Sequence, residues 1–236
     1  MNKNPSVSLI VPAYNEEEAI KQSVLEDLSV LNDSGLHFEI IIVDDGSRDN
    51  TKKIIEENFS GIPTVTLFSK PNGGFGSAVK KGIELSKNDY ILFVPVDNPL
   101  DQELFKIFLS HLGKADVLTS YRISRKGYSL RMKFVSSVYH ILISLFFGLS
   151  LKDYNWIHLY DRKIFEKIRI KNDRIFMLAE VLIKAKWLGY SIFEFPVEMK
   201  ARTTGVKTAA SFNAAFRTFI DMFRFFFTHI FNKHTD

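Results

Sequence analysis

Through the first 120 residues, short apolar runs rich in β-branched residues alternate with longer amphipathic stretches. The runs are "SVSLIVP", "FEIIIVDD", "TVTLF", "YILFVPVD" and "ADVLTS". Between the first two, Ile20, Val24, Leu28 and Leu31 recur at helical spacing, and the segments after "GSRDNT" and "NGGFG", with "DQELFKIFLSHL", continue the rhythm. Strands that are apolar almost throughout, separated by helices, predict an α/β domain with a mostly parallel sheet covered on both faces. Ligands then bind beyond the carboxyl ends of the strands.

After Ser120 the pattern changes. A basic stretch, "YRISRKGYSLRMK", leads into "FVSSVYHILISLFFGLSL", 18 residues without a charge, and the whole span Val117 to Lys152 holds six Lys or Arg and no acid. That length reaches the range of a membrane span, and the basic residues draw anions. Near the C-terminus, Phe212, Phe216, Phe219, Phe223, Phe226 and Ile230 recur at helical spacing while Arg217, Asp221, Arg224 and Thr228 take another face. Eight phenylalanines in 20 residues predict a helix lying in a membrane interface or against a protein partner; two helices packed on the sheet or on each other is the other reading. Ser136, Ser137, His140 and Ser144 favour an in-plane apolar helix over a crossing, because unpaired polar groups are expensive in hydrocarbon. The chain thus divides into a main domain over residues 1–210, including an apolar interface helix at about 128–151, and an amphipathic membrane-associating helix over 211–236.

Composition narrows the chemistry. The 236 residues include no cysteine, which removes disulfides, thiolate metal sites and a cysteine nucleophile, and favours the cytoplasm. The apolar run before Glu16 is too short for a signal-peptide core. The net charge of +4 is mild, and nucleic acid is not among the expected partners.

Polar groups gather where the strands end: "PAYNEEE", "DDGSRDNT", "NGGFG" and "PVDNPLD". In a parallel sheet these loops share one edge. Asp44 and Asp45 are either ligand-binding acids or caps of a turn. A dinucleotide site would place G-x-G-x-x-G after the first strand, where this chain has Pro12-Ala13-Tyr14-Asn15-Glu16, and no Gly-Lys-Ser/Thr follows the glycines of "NGGFG" as a P-loop requires. Those glycines suit a tight entry to a helix whose N-terminus can face a phosphate.

Taken together, "VPAYNEEE", "IIVDDGSRDNT" and "NGGFGSAVKKGIELSKNDYILFVPVD" resemble the nucleotide-sugar half of inverting GT-A glycosyltransferases, and most closely the dolichol- and polyprenyl-phosphate sugar transferases. The likeness extends through "SYR", "DYNWIHLYDRKIFEKI" and "GYSIFEFPVEMKARTTGVK". It implies a Rossmann-like GT-A fold and transfer of a sugar, with inversion, from a nucleoside-diphosphate sugar to polyprenyl phosphate or a related lipid-linked acceptor. The implied location is peripheral, on the cytoplasmic face of the cell membrane, in cell-envelope glycan synthesis. Pro12, Tyr14, Glu16, Val43, Asp44 and Asp45 become the cradle for base and ribose, and Arg122, Arg202 and Lys207 the holders of the diphosphate or the acceptor phosphate. Asp97 is the implied ligand of Mg²⁺ or Mn²⁺; the usual Asp-x-Asp is reduced here to Pro95-Val96-Asp97, with Pro99 in place of a frequent Gln. One or two carboxylates with substrate phosphates and waters suffice for Mg²⁺. A hydroxyl acceptor would need a base, for which Asp153 is the candidate with Glu180 behind it; a lipid phosphate would need none. Transfer to a growing surface glycan and a non-catalytic nucleotide-sugar-binding scaffold are the alternatives. The Phe-rich helix is the expected contact for the membrane, a second copy of the chain or a membrane protein.

Overall fold

The computed structural model describes residues 5–97, 100–123 and 129–198, and a helix over 212–231 with side chains from 215 to 229. In chain order the first half runs β1 (Ser6–Ala13), α1 (Ile20–Asp33), β2 (His37–Asp44), α2 (Thr51–Phe59), β3 (Val65–Ser69), α3 (Phe75–Leu85) and β4 (Tyr90–Phe93). The second runs α4 (Gln102–Ser110), β5 (Val117–Arg122), α5 (Leu130–Phe147), β6 (His158–Asp161), a 3₁₀ turn (Arg162–Glu166), α6 (Met177–Trp187), β7 (Ile192–Val197) and α7 (Phe212–Phe231).

The seven strands form one sheet in the order β3-β2-β1-β4-β6-β5-β7. All neighbours are parallel except β6, which runs against both β4 and β5. Alternate residues of the central strands face two separate cores. Val7, Leu9 and Val11 pack with Ile20, Val24 and Leu31 of α1, Ile55 of α2 and Phe105 and Phe108 of α4. Ile10, Ile91 and Phe93 pack on the other face with Val79 of α3, Ile143 and Phe147 of α5, Leu182 of α6 and Met222 of α7. This is why the strands read as continuous apolar runs. Helix α3 lies close on β1 because Gly82 carries no side chain: a Cβ there would stand 2.3 Å from Ile10 Cγ2.

The sequence pattern runs strand four on to Asp97, whereas pairing stops sooner. Val94 N–H still donates to the Ile10 carbonyl at 3.1 Å, but Pro95 has no N–H to continue the ladder, and Asp97 sits in the turn that follows.

Helix α5 starts at Ser129, whose hydroxyl accepts from Met132 N–H at 3.2 Å, and stops at Gly148 in the left-handed region, φ +67°. Tyr139 meets Phe219, and Phe146 meets Phe223 and stacks on Phe226, so α5 and α7 run side by side in the same direction. The rotation of α7 differs from its sequence pattern. Asp221, expected on the polar face, is buried and pairs with Arg174 at 3.2 Å, while Phe219 and Phe226 turn inwards. Filling the core with Met222, beside Phe225 against Phe147 and Phe176, sets this rotation. The outward stripe becomes Phe216, Ile220, Phe223 and Phe227, and on α5 Leu130, Phe134, Ile141 and Leu145 are exposed as well.

Candidate active site

The carboxyl ends of β1, β2 and β4 form one edge, and their loops are laced by bonds from side chains to backbone. Pro12 and Ala13 stand opposite Val43 and Asp44 in the β1–β2 register, and Asp45 N–H donates to the Ala13 carbonyl at 2.8 Å. Asn15, at φ +54°, accepts from Arg48 N–H at 2.8 Å through its side chain, while its own N–H donates to Ser47 Oγ at 3.0 Å. Glu16 N–H donates to Thr51 Oγ1 at 2.8 Å, and the Glu17 carboxylate accepts from Asn50 N–H at 2.9 Å. This lacing leaves the Tyr14 ring 41% exposed at the rim, available for stacking on a planar group.

The two acids that end β2 are both buried and both committed. Asp44 Oδ1 accepts from Ser47 N–H at 3.1 Å, closing the turn. Asp45 accepts from Gly73 N–H at 3.0 Å, Gly74 N–H at 2.7 Å and the Lys70 ammonium. The glycine-rich loop therefore presents its first amides to Asp45, and Gly76 N–H donates to the Asp173 carbonyl at 2.8 Å. Three of the amides at this helix start, those of Gly73, Gly74 and Gly76, are thus taken by protein acceptors and are not offered to a phosphate. Gly74 is required at its place, since its φ is +93° and a Cβ would lie 2.7 Å from the Asp173 carbonyl oxygen.

Asp97 is half-buried on the β4 side of the edge and faces Glu16. Burial, and then the negative charges of Asp97 and Asp49, push the Glu16 carboxyl above the usual carboxylate range. Acids crowded in this way suit a cation. Among the described residues no group of three or more His, Cys, Asp or Glu forms a metal cage, and a divalent ion held here by one or two carboxylates would need further oxygens from phosphate or water.

Across the edge, antiparallel β6 changes what is brought together. Its first residue, His158, pairs with Thr119, so the segment that precedes it, residues 153–157, lies at the carboxyl end of β5. There Arg122 Nε and a terminal nitrogen both donate to Asp153 Oδ2, at 2.9 and 2.7 Å, with the guanidinium over the Trp156 ring at 4.6 Å. Asp153 Oδ1 accepts from Asn155 N–H at 3.2 Å. Glu194 of β7 supports the segment by accepting from the Lys152 and Asp153 amides, and burial pushes its carboxyl up. Below, His158 Nδ1 bonds Thr119 Oγ1 at 2.7 Å; burial holds the imidazole down to about 4, and so neutral. Glu194, Trp156 and His158 were not marked by sequence reasoning, because each acts through partners 34 to 42 positions away. Glu180, expected behind Asp153, instead holds the Lys171 and Asn172 amides at 2.8 Å and Lys184, under the glycine-rich loop. Arg202 and Lys207 lie outside the described residues.

Residues 8–178 match the family described as glycosyl transferase family 2. The chain belongs to that family. Among the relatives of this glycosyltransferase is a dolichyl-phosphate beta-glucosyltransferase of Trichomonas vaginalis, 30% identical over 210 residues, covering 81% of this chain and 65% of that protein. An undecaprenyl-phosphate 4-deoxy-4-formamido-L-arabinose transferase of Pseudomonas fluorescens is 27% identical over 173 residues, covering 71% of this chain and half of the other. The glycosyltransferase thus spans about two thirds or less of these relatives. The crystal structure of glucosyl-3-phosphoglycerate synthase from Mycobacterium tuberculosis with Mn²⁺ and UDP-glucose shares the fold, with a TM-score of 0.70 over 94% of this chain and 79% of that one at 18% identity.

Proposed function

We propose that the protein transfers a sugar, with inversion, from a nucleoside-diphosphate sugar to polyprenyl phosphate or a related lipid-linked phosphate, while resting on the cytoplasmic face of a membrane. The observation that carries this reading over a hydroxyl acceptor is the state of Asp153. Both of its oxygens are engaged, one by two guanidinium hydrogen bonds and one by a backbone amide, so the candidate base is tied down. An acceptor that is already an anion needs no base. The names of the relatives support the same acceptor class.

In this reading Tyr14, Pro12 and Val43 hold the base and ribose, with Asp44 and Asp45 fixing the loops that frame them. Asp97, with Glu16 beside it, would hold Mg²⁺ or Mn²⁺ against the diphosphate, and the ion would supply positive charge to the departing group. Arg122, oriented by Asp153 and Trp156, presents a fixed guanidinium to phosphate oxygens. Preorganised charge of this kind acts without reorganisation as the leaving group develops. Arg202 and Lys207 are assigned the same kind of role. The acceptor oxygen attacks the anomeric carbon opposite the diphosphate, which inverts that centre. The apolar faces of α5 and α7, with exposed Arg131, Lys133 and Arg217 at the same end of the helix pair, are the surface assigned to lipid.

The test incubates purified protein with a panel of UDP- and GDP-sugars, polyprenyl phosphate and Mn²⁺. A lipid-linked sugar of opposite anomeric configuration, identified by NMR, is the expected product. Elongation of an oligosaccharide would select the surface-glycan alternative, and nucleotide-sugar binding without transfer would select the scaffold.

A further inference from the structure

A carboxyl group that the site does not touch directly is built into its support. Asp27, on α1, is wholly buried, and its Oδ1 accepts from the N–H of Leu100, 73 residues away, at 2.7 Å. Leu100 is itself buried in the core, three positions beyond Asp97. Immediately after it, Asp101 starts α4 by accepting from Glu103 and Leu104 N–H at 3.0 and 3.1 Å. On the near side of Asp97, the Val94 N–H bond to Ile10 is the last of the ladder. The chain around Asp97 is therefore pinned three residues before it by the sheet and three residues after it by Asp27.

Packing alone gives no reason for an acid at this place. Asp27 Oδ2 and Ser23 Oγ, one helical turn earlier, are both buried, and neither has a hydrogen-bond partner among the described residues. An aliphatic side chain at position 27 would fill the space without burying an unpaired carboxyl oxygen. What it could not do is accept the Leu100 amide, which would then be a buried, unsatisfied donor. We propose that Asp27 is a positioning residue that fixes the backbone of the loop bearing Asp97, so that the Asp97 carboxylate meets the cation and diphosphate at a set place. This rests on the reading of Asp97 given above.

The test compares the wild type with Asp27→Leu, Asp27→Asn and, as a control, Asp97→Asn. Calorimetry measures UDP and GDP binding with and without Mn²⁺. In the wild type Mn²⁺ should strengthen nucleotide binding, and Asp97→Asn should abolish that gain. Asp27→Leu should reduce the gain about tenfold, the equivalent of one unsatisfied buried donor, and leave metal-free affinity unchanged. Asp27→Asn, whose amide oxygen still accepts from Leu100, should restore it. An unaltered Mn²⁺ gain in a folded Asp27→Leu protein would overturn the proposal while leaving the role of Asp97 intact. A wild type without any Mn²⁺ gain would overturn the reading of Asp97 and the proposal with it. The Leu100 amide should also exchange slowly with deuterium in the wild type; fast exchange would overturn the latch however the variants fold.

Discussion

The two sides of the sheet edge are built by different means. On the β1–β2–β4 side, loops are held by many short bonds between neighbouring strand ends, with Asp44, Asp45, Asn15 and Glu17 spending their polar groups on backbone amides. On the β5–β6–β7 side, one antiparallel strand brings a buried ion pair, Arg122–Asp153, to the rim. The first construction is distributed and can lose one bond and keep its shape. The second concentrates its function in a pair, and removing either partner strands the other charge.

That difference predicts where mutations fall. The largest effect should follow Arg122→Ala: transfer falls about 10²–10³-fold, as for loss of one preorganised electrostatic group, measured with the nucleotide-sugar and lipid phosphate both saturating. Next comes Asp45→Ala. It leaves the Gly73 and Gly74 amides and Lys70 without their acceptor, so thermal unfolding should show a loss of about 2–3 kcal/mol, with weaker nucleotide binding. If Asp45→Ala instead spared nucleotide binding, the two sides would not divide as described.

Stability against pH separates two buried groups of opposite sign. The fold holds His158 neutral, so its contribution is complete above the ordinary value of 6.5 and is lost as pH falls towards about 4. The fold holds Asp27 protonated to about 7, so its contribution is complete below 3.8 and is lost as pH rises through 7. Melting temperature against pH should therefore lose the part of its acid fall between pH 6.5 and about 4 in His158→Gln. In Asp27→Asn it should rise above wild type at pH 8 and match it near pH 4, each effect at most about 3–4 kcal/mol. The smallest expected effect is on the α5–α7 face proposed to meet lipid. Phe223→Ser and Phe227→Ser should each weaken binding to anionic liposomes by about 1–2 kcal/mol, and Lys133→Gln by about 1 kcal/mol, with salt weakening only the latter contribution. Unchanged liposome binding in all three would remove the membrane assignment of this face.

The β1–β2–β4 edge was readable from sequence because its signals are local. Apolar runs that end in "DD" or "NGGFG" place acids and glycines at strand ends, and a parallel sheet puts those ends together. Three things were not readable. The end of β4 depends on a proline that still looks like part of an apolar run. The rotation of α7 is set by which side chain fills the core, and a helix rich in phenylalanine on several faces does not declare that from its own spacing. The antiparallel course of β6 and the support given by Glu194, His158 and Asp27 come from pairings across the chain, for which a window of ten or fifteen residues holds no signal.

The placement of β6 also orders the birth of the molecule. Strands β1 and β2 join residues about 31 positions apart, as in the Ser8–Glu39 bond, so they can pair soon after emerging from the ribosome. β5 pairs with β6 on one side but leaves its other side open until β7, whose first links span 75 positions, and β4 keeps an open margin until β6 arrives. During that interval the nascent chain carries an apolar, unpaired strand, the kind of margin on which neighbouring chains associate. Slow synthesis between residues 93 and 161 would lengthen the exposure, and the yield of soluble protein should depend on translation speed there.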